Sequence, residues 1–168
     1  MGRSLPRDDG APADREPHPR LRLERFLPYR LSVLANIVSR SVARLYAARF
    51  GLTIPEWRAM AVLGRGEPLS SNEIAARTEM DKVQVSRAIG RMEKAGLVRR
   101  ATDRQDRRRG VLRLSAAGLR IYERIVPTAL GYEKRLIAAL SEEERRALDR
   151  LLAKLHARAA ELDTAGEG

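Results

Sequence analysis

The residues whose types and spacing best suit chemistry are Lys82, Val83, Gln84, Ser86, Arg87 and Arg91, all within the stretch DKVQVSRAIGRMEKAG. Wound at the helical period of about 100° per residue, this stretch gathers Val85, Ala88, Ile89 and Met92 on one face, which must be the buried side. The opposite face carries Val83, Ser86, Arg87, Gly90 and Arg91, with Lys82 and Gln84 at its margins. That set suits the edges of base pairs: Arg can grip guanine bidentately, Gln can pair with adenine, and a Val methyl can touch a thymine methyl. Gly90 allows close approach to a strand backbone, and the helix N-terminus offers N–H groups and partial positive charge to a phosphate. An ordinary amphipathic helix with a solvated polar face has the same period, so the helix alone does not decide.

The loop ATDRQDRRRG that follows does more. Six arginines lie between Arg99 and Arg109, a density that repels itself in isolation and gains most when phosphates are close. Set between two strands, such a loop is a wing that can insert one arginine into a narrow minor groove while others hold phosphates. Asp103 and Asp106 cannot touch DNA favourably. Their expected role is to accept hydrogen bonds from neighbouring arginines and set the shape of the loop.

Catalysis finds no comparable support. His18 falls in a Pro-rich tail and His156 on the last amphipathic helix, neither with a spaced Ser, Asp or second His for a triad or a metal site. The serines at 70, 71, 115 and 141 serve as helix caps, and Glu142 to Glu144 sit in a first turn where carboxylates favour the helix dipole. Cysteine is absent, which excludes disulfides, thiolate zinc sites and thiol redox sensing. We therefore expect no catalytic residues, no metal and no cofactor.

The chain has 168 residues, enough for one packed core. Its 33 Lys and Arg against 22 Asp and Glu give a net charge of +11, which opposes compaction unless something anionic is bound. Aromatics are only 4%, which disfavours RNA binding by base stacking. A peripheral membrane protein would carry its cations on an amphipathic helix, whereas here they concentrate in a loop. No uncharged apolar run is long enough to cross a bilayer, and the composition suits a cytoplasmic protein.

Positioning these groups falls to a predominantly helical frame. Residues 1–19 read as a disordered tail rich in proline. Apolar residues at helical spacing run from Leu21 to Phe50, and Gly51 closes that helix. Thr53-Ile54-Pro55-Glu56 and Ser70-Ser71-Asn72-Glu73 are capping boxes that open two further helices, and Asp81 caps the helix described first. Leu97 to Arg100 and Val111 to Leu114 are the strands of a hairpin with a long arm. Ser115 caps a long helix bent at Pro127, and Ser141 to Glu144 is another capping box opening the last.

The segment NEIAARTEMDKVQVSRAIGRMEKAGLVRRATDRQDRRRGVLRLSAAG resembles the MarR family of winged-helix transcriptional regulators, and GLTIPEWRAMAVL extends the likeness. The resemblance covers about Leu27 to Leu162. It implies a mainly α fold with a small β-hairpin wing: a winged helix-turn-helix over 53–115, dimerisation helices over 20–52 and 116–163, and a flexible end over 164–168. It also implies a homodimer that binds a pseudo-palindromic site on double-stranded DNA and releases it when a small effector binds. Gln84, Ser86, Arg87 and Arg91 then fall in the recognition helix, and Asp106 and Arg108 in the Asp-x-Arg element of the wing. Gln105 departs from the family, where the wing often has a further arginine, so Arg104 or Arg107 becomes the candidate for insertion. Two recognition helices about 34 Å apart would face consecutive major grooves.

FLPYRLSVLANIVSR, with TIPEWRAM, offers Tyr29, Arg30, Asn36, Arg40, Trp57 and Met60 as an effector pocket for an aromatic acid or its thioester. The first of these segments also resembles the corresponding helix of regulators of hydroxycinnamate breakdown, which respond to an aromatic acyl-CoA. The same residues suit a core or a dimer interface. A basic nucleic-acid-binding or architectural protein without ligand control is the alternative reading.

Overall fold

The computed structural model describes residues 21–102 and 110–165. A short 3-10 turn at Leu23–Arg25 precedes α1 (Leu27–Phe50), α2 (Ile54–Leu63), α3 (Ser71–Thr78), α4 (Lys82–Lys94), β1 (Val98–Thr102), β2 (Gly110–Leu114), α5 (Ala116–Ile137) and α6 (Glu142–Ala165). Two units are distinguished, one ending at Ile37 and the other beginning at Val38. In the first, residues 21–37 are exposed throughout.

The second unit takes its order from local signals. Thr53 and Ser70 each accept a hydrogen bond from the backbone N–H of the glutamate three residues on, and each glutamate carboxylate accepts from the capping residue in return. Asp81 Oδ1 accepts from the Gln84 N–H at 2.8 Å, and Ser115 Oγ from the Gly118 N–H at 3.0 Å. At the start of α6, Ser141 and Glu144 complete the same reciprocal pair. Each cap satisfies N–H groups that a helix end leaves unpaired, so the helices begin where the sequence places them. α5 runs through Pro127 as one continuous helix. α6 extends to Ala165, two residues into the stretch expected to be flexible.

The core lies where α2, α3 and α4 pack on one another and on the hairpin. Met60, Ile74, Val85, Ile89, Met92 and Leu112 are all buried there, with Tyr46 of α1 and Ile125 of α5 closing it. β1 and β2 pair antiparallel with Val98 opposite Leu114 and Thr102 opposite Gly110. A bridge between Leu69 and Leu112 adds a one-residue third strand, with N–H to O distances of 3.1 and 2.8 Å. The result is a winged helix-turn-helix, with the hairpin as the base of the wing. Among the described residues no helix is long and apolar enough to cross a membrane, and no group of three His, Asp or Glu could hold a metal ion.

Candidate nucleic-acid interface

Three residues, Glu79 to Asp81, join α3 to α4. Glu79 adopts a left-handed backbone (φ 51°) and closes α3, Met80 is buried in the core, and Asp81 caps α4. The connection is therefore tied at each residue. α4 turns Val85, Ala88, Ile89 and Met92 inward, each no more than 1% exposed. Lys82, Val83, Gln84, Ser86 and Arg87 are exposed, and Gly90 is half-buried. Val83 keeps 57% of its surface exposed. Lys82, Ser86, Arg87 and the Gln84 side chain make no hydrogen bond or ion pair among the described residues. These five side chains are thus unspent by the fold and project from a rigid helix.

Arg91 behaves differently. Its Nε donates to Glu56 Oε1 at 2.6 Å and its Nη2 lies 3.4 Å from Thr53 Oγ1. Glu56 is buried at 5% exposure. Burial alone would push its carboxyl pKa up, but hydrogen bonds from the Thr53 N–H, the Arg91 guanidinium and the Thr53 hydroxyl outweigh it and hold the pKa below the ordinary glutamate value. The capping box made this glutamate visible in sequence; the ion pair to a residue 35 positions away had no local signal.

At the far end of α4, Glu93 accepts two hydrogen bonds from Arg100, at 2.7 and 3.2 Å, which brace the helix against β1. Arg100 is therefore spent on the scaffold. Arg99 stands opposite Arg113 across the ladder. Asp103, Arg104, Asp106, Arg107 and Arg108 lie outside the described residues.

Of the six residues expected to form an effector pocket, three belong to the first unit and three to the second. Met60 has no exposed surface and belongs to the core, where its thioether fills space between helices. Tyr29, Arg30 and Asn36 are exposed on the first unit, and Arg40 is exposed on the second. Trp57 is half-buried between two tyrosines, its ring centroid 5.4 Å from that of Tyr46 and 6.3 Å from that of Tyr122. It lines a cavity of about 190 Å³ with Val38, Ser39, Val42 and Tyr46 of α1 and Ile54 and Arg58 of α2. Of the six expected residues only Trp57 reaches that cavity. Ser39, Tyr46 and Arg58 were missed because their convergence depends on how α1 crosses α2. Burial drives the Tyr46 phenol up to about 12, with Arg58 opposing and Glu56 adding to the shift, so Tyr46 is neutral at physiological pH.

This fold, with a tied turn, a free polar face on its second helix and a basic hairpin, defines a winged helix-turn-helix transcriptional regulator. Residues 50–109 match the model of the MarR family. Over 117 residues the chain is 27% identical to a transcriptional regulatory protein of Thauera aromatica named for the hcr operon, covering 70% of each. Over 131 residues it is 28% identical to a transcriptional repressor of Mycobacterium bovis, covering 77% of this chain and 91% of that one. A crystal structure of a MarR/EmrR family transcriptional regulator from Acinetobacter sp. ADP1 superposes with a TM-score of 0.78 at 26% identity, over 84% of this chain and 99% of that one. The chain is thus similar to MarR-family DNA-binding transcriptional regulators, in sequence over residues 50–109 and in fold over most of its length.

Proposed function

We propose that the protein is a repressor that binds a pseudo-palindromic duplex site as a homodimer, α4 of each subunit entering a major groove, and that a small aromatic acid or aromatic acyl-CoA releases it. The observation that carries this reading is the face of α4. Lys82, Val83, Gln84, Ser86 and Arg87 are exposed and unspent, while the opposite face is buried. In this reading they read base edges, and Arg104, Arg107 and Arg108 of the wing hold phosphates or enter the minor groove. Two copies are favoured by apolar side chains left bare on the outer helices: Leu27 and Leu34 of α1, Leu130 and Leu136 of α5, and Leu151 and Leu162 of α6. Large apolar side chains exposed in such number on a single chain suit burial against a second copy. Repression, rather than activation, is favoured by the likeness to the Mycobacterium bovis repressor.

For the effector, support comes from the cavity beside Trp57 and Tyr46. At about 190 Å³ it lies below the roughly 300–1,000 Å³ of ordinary ligand pockets, which suits a single aromatic ring and leaves a thioester's nucleotide handle outside. Arg58 gives that ring's carboxylate a partner. The test is a selection of bound genomic fragments, then fluorescence anisotropy of the selected duplex against single-stranded DNA, RNA and a panel of aromatic acids and thioesters. Preferential duplex binding with release by one of these ligands supports the proposal. Equal affinity for RNA and duplex would exclude it, and duplex binding that no aromatic acid or thioester relieves would favour a regulator without ligand control.

A further inference from the structure

Glu56 is the single buried charged residue among those described, and a capping box does not require it to be buried or to use both oxygens. Its Oε2 accepts from the Thr53 N–H at 2.7 Å and the Thr53 hydroxyl at 2.8 Å, which completes the cap of α2. Its Oε1 is then free for a second task, and it takes the Nε–H of Arg91 at 2.6 Å. The two residues differ in setting: the Glu56 side chain is 7% exposed and that of Arg91 52%. The pair thus reaches from the interior behind α4 out to its exposed face, one helical turn after Arg87.

Stability is a poor reason for this arrangement. α2 and α4 already meet through apolar side chains, and a buried ion pair is often no more stabilising than apolar groups of the same size. What such a pair does supply is registry. With its Nε edge tied to another helix, Arg91 loses the swing that a long side chain needs to reach into the groove for a base. Nη2 adds a longer hydrogen bond to Thr53 Oγ1 at 3.4 Å, and the rest of the guanidinium, on a side chain 52% exposed, faces solvent in a fixed orientation, as suits an oxyanion at the groove rim.

We propose that Glu56 is a positioning residue that holds the Arg91 guanidinium as a clamp for a backbone phosphate, so that Arg91 adds affinity without reading sequence. The proposal rests on the reading of this chain as a DNA-binding regulator and moves Arg91 from base recognition to phosphate contact. It also makes the first turn of α2, outside the helix-turn-helix, part of the DNA interface.

A double-mutant cycle tests it, with a duplex of selected sequence and a scrambled duplex of equal length as probes. Glu56→Gln and Arg91→Ala should each weaken both duplexes by a similar factor, about 5- to 20-fold. The double variant should be no weaker than Arg91→Ala alone, because the two residues act as one unit. The salt dependence of binding should flatten by about one charge in Arg91→Ala. Glu56→Asp keeps the charge but withdraws the carboxylate, so it serves as the second variant should Glu56→Gln unfold; it should lose DNA affinity at temperatures where circular dichroism shows it folded. Independent effects that multiply, a folded Glu56 variant that binds as wild type, or a loss in Arg91→Ala confined to the selected duplex would each overturn the proposal. Absence of any duplex binding by the wild-type protein would overturn the regulator reading along with it.

Discussion

Gly118, in the first turn of α5, lies against the backbone carbonyl of Leu97, where α4 gives way to the wing. A Cβ at position 118 would strike that oxygen, which belongs to a backbone and cannot swing aside. The same carbonyl accepts from the Ser115 N–H at 2.9 Å, and Ser115 Oγ donates to the Gly96 carbonyl at 2.6 Å. The start of α5 is thus tied to the end of α4 by close backbone contact. We expect Gly118→Ala to destabilise the protein by about 1–3 kcal/mol, the range for overpacking a tight site. Urea unfolding followed by circular dichroism reads this, and an unchanged midpoint would mean that the contact is loose in solution.

Gly90 presents the opposite case. It lies within α4 with nothing within 4 Å of a Cβ placed there, so Gly90→Ala should stabilise the fold by about 0.5–1 kcal/mol through helix propensity alone. Yet position 90 shares the face of Arg87, where a DNA strand would come close. We expect the variant to melt higher and bind duplex more weakly. A higher melting temperature with undiminished affinity would show that no strand backbone approaches this turn.

Arg87 is exposed and unpartnered among the described residues, the condition for a side chain that grips a base. Replacing it with Ala should cost about 1–3 kcal/mol of binding free energy and relax preference at one base pair. A titration against single-base variants of the selected duplex measures both effects. A uniform loss across all variants would reassign Arg87 to a phosphate.

Tyr46 and Glu56 set the two ends of the stability profile. The folded-state pKa of Tyr46 is raised from 10.0 to about 12 by burial, so its contribution is fully present below pH 10 and is lost as pH rises toward 12, on the order of 2 kcal/mol. Glu56 is the reverse: its depressed pKa contributes stability above the unfolded value of about 4.3, lost as pH falls through the folded-state value. Thermal unfolding should therefore be flat across neutral pH and fall at both extremes. The alkaline fall should vanish in Tyr46→Phe; a fall of the same size in that variant would assign it to other groups.

Much of the architecture was legible before any coordinates. The caps at Thr53, Ser70, Asp81, Ser115 and Ser141 each act on an N–H three residues away, so their chemistry is written in adjacent positions. The two faces of α4 followed from a 3.6-residue period, and Val85, Ala88, Ile89 and Met92 are buried as that period requires. The left-handed turn at Glu79 was not legible, because no glycine marks it.

The amino-acid sequence by itself therefore determined the helices, their caps and the side chains turned outward on α4, since those depend on interactions within one or two turns. The tertiary structure alone decided which charges remain free. It placed Arg91 on Glu56, Arg100 on Glu93 and Leu69 beside Leu112, and it drew Met60 into the core while Tyr46, Trp57 and Arg58 converged on a cavity. Arg91 and Glu56, and Leu69 and Leu112, are far apart in sequence, and they meet only because α2, α3, α4 and the hairpin share one apolar core. An arginine's local sequence says that it is charged; whether it is spent on the fold or left for DNA depends on what packing sets beside it.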